Sequence, residues 1–276
     1  MEMVKTKLIF LSLLCVCGIA GAQEYNWETV PMDGHMVGAA IPSTDNVEQA
    51  LGKVKHGRYT APNGKRYKGS VAKVADLMIE AQPSMAFVKE KIGYAPEDMK
   101  LRHPESALSD MLVDFLMKSC EDVTGLKVDV GLLNFGGIRT DIHKGDVILD
   151  DFISMMPFKN YLAYVRLKGS DLRAIYESMA QYGIQVVGGA KLCFSRDEGL
   201  VSVEIAGEPL DDNKEYGLAT VDFLLDGGDH FQAAKNAREL IMTDVLLRDG
   251  VLEYVKKMVA EKNVIEYKAD GRVVIL

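Results

Sequence analysis

Two apolar runs that each end in a paired-glycine turn constrain this chain more than any other feature of its sequence. The first turn is Asn134–Arg139 (Asn-Phe-Gly-Gly-Ile-Arg), and it follows the apolar run Val128–Leu133. The second turn is Asp226–Asp229 (Asp-Gly-Gly-Asp), after the apolar run Tyr216–Leu225. Apolar runs of this kind predict buried strands, and glycines permit backbone conformations and close approaches that a Cβ would block. We expect a ligand to meet bare backbone at Gly136, Gly137 and Gly228.

Polar side chains stand beside both turns. The guanidinium fork of Arg139 matches the geometry of carboxylate or phosphate, and Asn134 adds an amide on the other side of the first glycine pair. Asp229 complements Arg139 and can accept hydrogen bonds from sugar hydroxyls, as acidic residues do in nucleotide sites. The alternative is a strand-turn with a solvated surface arginine, because short glycine motifs recur by chance.

Two aromatic residues are expected near these turns. The helix that starts at Leu149 must end near Met156, because the residue before a proline avoids the α region, and this places Phe158 on a loop. Phe223 stands just before the second glycine pair. Aromatic faces stack on flat rings such as bases, with about 1–3 kcal/mol per base. The alternative is that both phenylalanines are core residues, which is the commoner fate of a single phenylalanine.

The residues give no catalytic or metal-binding cluster. The five histidines are scattered, and there is no Gly-x-Ser-x-Gly elbow, P-loop or Gly-x-Gly-x-x-Gly turn. The net charge of −8 disfavours binding to a nucleic-acid polymer, which needs a positive field. A nucleotide as a small ligand stays possible. We therefore expect no catalytic residue, metal or cofactor in this chain.

The N-terminus is typical of an export signal. Two lysines precede the apolar run Leu8–Ile19, and small residues at 20–22 complete the pattern of a cleaved signal peptide over residues 1–22. The apolar run is too short to span a bilayer comfortably, and a lipid anchor on Cys15 or Cys17 lacks the small preceding residue. The sequence predicts a periplasmic or secreted protein with no membrane span after cleavage. Cys120 and Cys193 would remain in the mature chain, either paired or as plain core residues.

The remaining patterns predict an α/β (α+β) fold with mixed sheets layered by helices. Residues 23–69, rich in Gly, Pro and Asn, are expected to form an N-terminal extension or linker with short strands, and residues 70–276 the main domain. Helices are expected to start at a Ser70 cap, after Ser106, at Leu149, at a Ser170 cap and at Val245. The face of the first is Val71, Val74, Ala75 and Met78, and both of the first two helices should pack on a sheet. Strands are expected at 161–167, 191–195, 201–205, 216–225 and 272–275.

The order and spacing of four motifs resemble the C-terminal domain of 5'-nucleotidases, the group of ecto-5'-nucleotidase and periplasmic UDP-sugar hydrolases. The resemblance covers residues 70–275. Its motifs are Asn134–Arg139, Met156–Phe158, Leu167–Gly169 and Asp222–Asp229. The resemblance implies a mixed α/β unit that binds the nucleoside part of a nucleotide.

The resemblance also implies roles for individual residues. Phe158 and Phe223 would clamp the base, Asp229 would hold ribose, and Asn134 and Arg139 would contact the substrate from the first glycine turn. Two positions depart from the family. Phe135 stands where the family often has glycine, and Pro104 stands where it has a substrate arginine, with Arg102 the nearest replacement.

The family's metal ions and catalytic His-Asp pair lie in an N-terminal metallophosphoesterase domain whose motifs are absent from this sequence. We therefore expect an exported nucleotide-binding subunit that works with a separate metallophosphoesterase chain, which would supply the divalent metals. The first alternative is a scavenging or sensing module that binds nucleosides without turnover. The second is hydrolysis by this chain alone through chemistry that the motifs do not reveal.

Overall fold

The computed structural model describes residues 46–197 and 199–276. The predicted signal peptide and residues 23–45 of the predicted extension lie outside the described residues. The helices are α1 Val47–Leu51, α2 Ser70–Ala81, α3 Ala107–Thr124, α4 Leu149–Met155, α5 Gly169–Tyr182 and α6 Leu247–Lys262. The strands are β1 Lys53–Lys55, β2 Arg58–Thr60, β3 Arg66–Tyr67, β4 Lys91–Ala95, β5 Val130–Leu133, β6 Gly145–Ile148, β7 Tyr161–Lys168, β8 Val186–Gly188, β9 Ala190–Ser195, β10 Gly199–Ile205, β11 Glu208–Pro209, β12 Glu215–Val221, β13 Glu239–Leu246 and β14 Val273–Ile275.

A mixed five-stranded sheet forms the centre of the fold, in the order β13-β7-β12-β5-β8. Strands β5 and β12 run parallel, with Leu218 opposite Val130, whereas the other neighbours are antiparallel. All four residues of β5 are buried, as expected for an apolar strand that is covered on both faces. The predicted α/β class with mixed sheets is therefore confirmed.

Helix α3 covers this sheet. Ser106 caps its first turn by accepting a hydrogen bond from the Ser109 backbone N–H, and the Ser109 hydroxyl accepts in return from the Ser106 N–H. A Cβ on Gly131 of β5 would lie 2.7 Å from the Met117 side chain of α3, so the glycine permits this close packing. The helix predicted after Ser106 is thus present, and it fixes one face of the strand that leads to the first glycine turn.

A second sheet has the order β11-β10-β9-β14 and joins three strands of residues 190–209 to the last strand of the chain. Its strand β14 is fixed by a buried ionic network. The Glu105 carboxylate accepts from the backbone N–H of Gly271 at 2.8 Å and of Val273 at 2.9 Å. Arg272, which is only 6% exposed, donates to Asp114 at 2.7 Å and lies 3.5 Å from Asp110.

Several predicted boundaries are wrong. The strand predicted over 216–225 ends at Val221 and continues as a 3-10 helix, Asp222–Leu224, which places Phe223 in a turn. The helix predicted from Val245 starts at Leu247, because Val245 belongs to β13, a strand that the sequence reasoning missed. Strand β11 was not predicted, because its two residues were assigned to a turn. Strands β4, β6 and β8 were also not predicted. They are short and pair with partners distant in the chain, so no local pattern marks them.

Helix α2 starts at Ser70 as predicted, but its cap is Gly69 without a side-chain hydrogen bond. The helix contacts β1 and β2 of a small antiparallel sheet, β1-β2-β3, within the segment predicted to carry short strands. The face predicted to be apolar core is largely exposed, with Val74 at 57%. Ala72, only 3% exposed, belongs to the packed side instead. Helix α5 likewise begins at Gly169 with Lys168 as its cap, so the predicted Ser170 cap is wrong.

The two cysteines of the described part are free. Cys120 is buried in α3 and Cys193 is half-buried in β9. Burial raises the pKa of the Cys120 thiol to about 12, so this thiol is an unreactive core group. Within the described ranges, no helix is long and apolar enough to cross a membrane.

Candidate functional site

The sheet topology brings the two glycine turns to one edge. Strands β5 and β12 are parallel neighbours, so their carboxyl ends emerge side by side, and each continues into one of the turns. Strand β7 runs antiparallel to β12, with Leu162 opposite Val221, so the start of β7 lies at the same edge. Phe158 stands just before β7 and is therefore delivered to this edge as well. Three separate segments of the chain meet there.

The first turn forms a short 3-10 helix, Phe135–Gly137, directly after β5. Asn134 is only 8% exposed and stands at its start. A Cβ on Gly137 would lie 2.9 Å from the Asn134 side-chain oxygen, so a side chain at this position would displace the amide. The absence of a Cβ at Gly137 therefore leaves room for the Asn134 amide. A Cβ on Gly136, in contrast, would make only ordinary contacts with the side chains of Asn134 and Asp229, at 3.6 and 3.7 Å.

A hydrogen bond joins the two turns. The Asn134 side-chain Nδ2 donates to Asp229 Oδ2 at 2.7 Å, across 95 positions of the sequence. Asp229 has φ 48° and His230 φ 68°, in the left-handed region that residues with a Cβ rarely adopt. Strained backbone of this kind persists where surrounding contacts enforce it, and it concentrates at functional sites. The pair places Asp229 Oδ2 near Gly136.

Phe223, in the 3-10 helix just before the second turn, lies next to Gly228. A Cβ on Gly228 would lie 2.0 Å from the Phe223 carbonyl oxygen and 2.9 Å from its ring, so only glycine fits this approach. The Phe223 side chain remains 46% exposed although it sits in a packed turn. Its ring therefore presents an apolar face to solvent, which contradicts the alternative that Phe223 is a core residue.

Phe158 is also exposed, at 52%, on the loop that follows α4. The Arg139 backbone N–H donates to the Met155 carbonyl at 2.9 Å, so the end of α4 is attached to the first turn. A cavity of about 20 Å³ beneath the loop is lined by Phe158, Asn134 and Gly137. This cavity is too small for a nucleoside, so a flat ligand would lie against the exposed aromatic faces.

Arg139, which the sequence analysis described as complementary to Asp229, contacts its own turn. Its Nη1 donates to the Gly136 carbonyl at 3.2 Å, and the side chain is exposed. The guanidinium keeps free donors for an anion. All eight predicted residues thus lie on connected turns, with Asn134 and Asp229 in direct contact.

Sequence reasoning missed two residues at this edge. The centroid of the His103 ring lies 3.8 Å from that of the Phe135 ring, with the ring planes tilted by 32°, and Phe135 itself is 6% exposed. The side chain of Gln185 accepts from the Phe135 backbone N–H at 2.9 Å and so fixes the turn. Arg102, named from the sequence as the nearest substitute for the family arginine, is exposed. No local pattern in the sequence marks His103 or Gln185.

In the described residues, the carboxylates of Glu105, Asp110 and Asp270 form the one group close enough to hold a metal ion, with ligand atoms within 4.8 Å of one another. Arg272 donates to Asp270 and lies beside Asp110, so a guanidinium already occupies this group. It lies in the C-terminal ionic network and includes none of the eight predicted site residues.

Comparison with known proteins shows the family. The family model described as "5'-nucleotidase, C-terminal domain" matches residues 86–236, more than half of the chain. The chain therefore belongs to the 5'-nucleotidase C-terminal domain family, as the four motifs suggested.

Individual relatives agree with this assignment. Protein UshA of Yersinia enterocolitica is 29% identical over 152 residues, which cover 53% of this chain and 27% of that protein. NAD 5'-nucleotidase of Haemophilus influenzae is 30% identical over 126 residues, covering 38% of this chain and 21% of the relative. The crystal structure of a 5'-nucleotidase precursor from Thermus thermophilus matches with a TM-score of 0.66 and 26% identity, over 79% of this chain and 45% of that one. The chain thus spans about a quarter of the length of these curated relatives.

Proposed function

We propose that this chain binds the nucleoside part of 5'-nucleotides. The observation that carries the proposal is the hydrogen-bonded pair Asn134–Asp229, set beside the Gly136–Gly137 backbone and flanked by two exposed phenylalanines. Phe158 and Phe223 would stack on the base, and Asp229 would accept hydrogen bonds from the ribose hydroxyls. The 5'-nucleotidase names of the relatives support nucleotides as the ligand class.

The polar end of the ligand would lie toward Arg139. Its guanidinium can donate two parallel hydrogen bonds to a phosphate, and Asn134 would help to orient the sugar. Nothing in this arrangement activates water or a leaving group. The role of these residues is therefore to bind and orient the substrate.

We further propose that hydrolysis needs a separate metallophosphoesterase subunit, which would supply divalent metals and the attacking water. In the described residues, the metal-compatible acidic group includes none of the proposed nucleoside-binding residues and already contains a guanidinium. The direct test is release of phosphate from AMP with Mn²⁺ by this chain, by a metallophosphoesterase chain that copurifies with it, and by the mixture. We expect activity that rises in the mixture, whereas copurification without any phosphoesterase would contradict the proposal.

A matched pair of variants makes this assay specific. Asp229→Asn removes the carboxylate from the site, and Asp244→Asn makes the same change on an exposed residue of β13. We expect the first variant to raise the KM for AMP in the mixture and the second to leave it unchanged. Equal kinetics for both variants would show that Asp229 does not contact substrate.

The N-terminal sequence supports export as part of this proposal. Its lysines, apolar run and small residues match a cleaved signal. N-terminal sequencing of the protein recovered from the envelope or medium should find Gln23 as the first residue. Recovery of the uncleaved chain from the cytoplasmic fraction alone would contradict export.

A further inference from the structure

Helix α2 has two apolar faces, and only one of them is packed within the part of the chain that the structure describes. Ala72, Ala75 and Ile79 lie on the packed side, and Ala72 is buried. Successive residues of an α-helix are separated by about 100° around the helix axis. A second set of apolar residues, at positions 71, 74, 77 and 78, therefore falls within one arc of about 120°. This set is exposed: Val71 47%, Val74 57%, Leu77 68% and Met78 52%. We refer to these four residues as the α2 face.

The exposed apolar surface continues past the helix. The 3-10 segment Pro83–Lys89 follows α2 after one residue and exposes Met85 at 45% and Phe87 at 63%. Single exposed apolar residues are normal on a protein surface, but a contiguous patch of them marks an interaction site. None of these residues belongs to the nucleotide site, so this patch has a different partner.

We propose that the α2 face is the interface of a homodimer in which the α2 helices of two copies pack antiparallel. The charges beside the face indicate this partner. Lys73 and Glu80 are both exposed and are seven residues apart, so they lie on the same flank, two turns from each other. In an antiparallel pair, Lys73 of each copy stands opposite Glu80 of the other.

The same charges select the orientation. In a parallel pair, the twofold axis would place the Lys73–Glu80 flanks of the two copies on opposite sides of the interface, so these charges would not meet each other. The antiparallel pair forms two equivalent contacts across a twofold axis, which is the usual symmetry of a homodimer. A face of few apolar side chains makes a small interface, so we expect a dimer that dissociates on dilution.

The test uses the full mature chain, without ligand, in sedimentation velocity at about 1 to about 100 μM, a range suited to small interfaces. We expect the wild type to shift from monomer to dimer across this range. Val74→Glu should remain monomeric, because it buries a charge in the centre of the α2 face. Val201→Glu is the matched control, since Val201 is 47% exposed on β10 and should leave dimerisation unchanged.

A charge swap tests the orientation separately. Lys73→Glu and Glu80→Lys should each weaken the dimer at low salt, and the double variant should restore it because each new glutamate meets a new lysine. Both substitutions lie on exposed positions, and circular dichroism should confirm an unchanged fold in all three variants. A wild type that stays monomeric up to the highest concentration overturns the proposal. A dimer that persists in Val74→Glu also overturns the proposal. Binding of the α2 face to a phosphoesterase chain, without self-association, overturns it as well.

This inference is independent of the proposed function. AMP affinity, measured by calorimetry, should be equal in the wild type and in Val74→Glu. Failure of AMP binding would therefore leave the dimer proposal standing, and failure of dimerisation would leave the nucleotide site standing.

Discussion

Replacement of Phe223 by alanine should weaken AMP binding about 5- to 150-fold, because stacking on a base contributes about 1–3 kcal/mol and about 1.4 kcal/mol corresponds to tenfold in affinity. The ring is 46% exposed, so its removal costs only part of the burial energy of a phenylalanine, about 1 kcal/mol of stability. The variant should therefore stay folded while it loses affinity. This variant therefore separates the loss of AMP affinity from a loss of folding stability.

Isothermal titration calorimetry of AMP into the full mature chain measures this loss directly. Phe87→Ala is the control, because Phe87 is 63% exposed but lies outside the nucleotide site. Phe158→Ala should weaken binding by a similar factor, and the double variant should lose less than the sum of the two if both rings hold one base. Unchanged AMP affinity in a folded Phe223→Ala chain would refute the aromatic clamp.

Three further predictions concern the supports of the site and the C-terminal network. Gly228→Ala should lower AMP affinity in calorimetry, because its Cβ would lie 2.0 Å from the Phe223 carbonyl oxygen, and unchanged binding would contradict the packing argument. Asn134→Ala should lower stability by about 1–3 kcal/mol in urea melts, because Asp229 loses its donor in a half-buried site; a variant as stable as wild type would show that the pair is dispensable. Asp110→Asn should become more stable relative to wild type as pH rises from 5 to 8, measured by thermal melts. Burial raises the pKa of Asp110 to about 8, so the folded chain keeps a proton that the unfolded chain loses above pH 4, and this group's contribution to stability falls through that window. Parallel pH profiles for the two proteins would contradict this prediction.

The sequence signals for the candidate site are local. Each glycine turn lies beside the polar or aromatic residue that it supports, as Gly228 does for Phe223. The proline at 157 likewise placed Phe158 on a loop, where the structure has it. Such contacts span a few residues and leave a pattern in the sequence.

Long-range pairing could not be predicted in the same way. Asn134 and Asp229 are bonded across 95 positions, and the sequence analysis did not predict this contact. The parallel neighbours β5 and β12 decide which side chains meet, and their register depends on the whole sheet. The ring contact between His103 and Phe135 has the same origin.

Helix α2 shows a different limit. Apolar spacing correctly predicted a helix from Ser70, but Val71, Val74 and Met78 point to solvent. Small residues such as Ala72 form the packed side, where β1 and β2 approach closely. The periodicity shows that the helix has an apolar stripe. Which element covers that stripe depends on neighbouring parts of the fold that the periodicity does not encode.

The most direct test of the central claim is a calorimetric titration of AMP into the purified mature chain with Mn²⁺ present. One trace reports both binding and turnover. We predict heats that saturate at one nucleotide per chain and return to baseline after each injection, as expected for a binding subunit without its catalytic partner. A flat trace would contradict nucleotide binding itself, and sustained heat after each injection would show that this chain hydrolyses AMP alone.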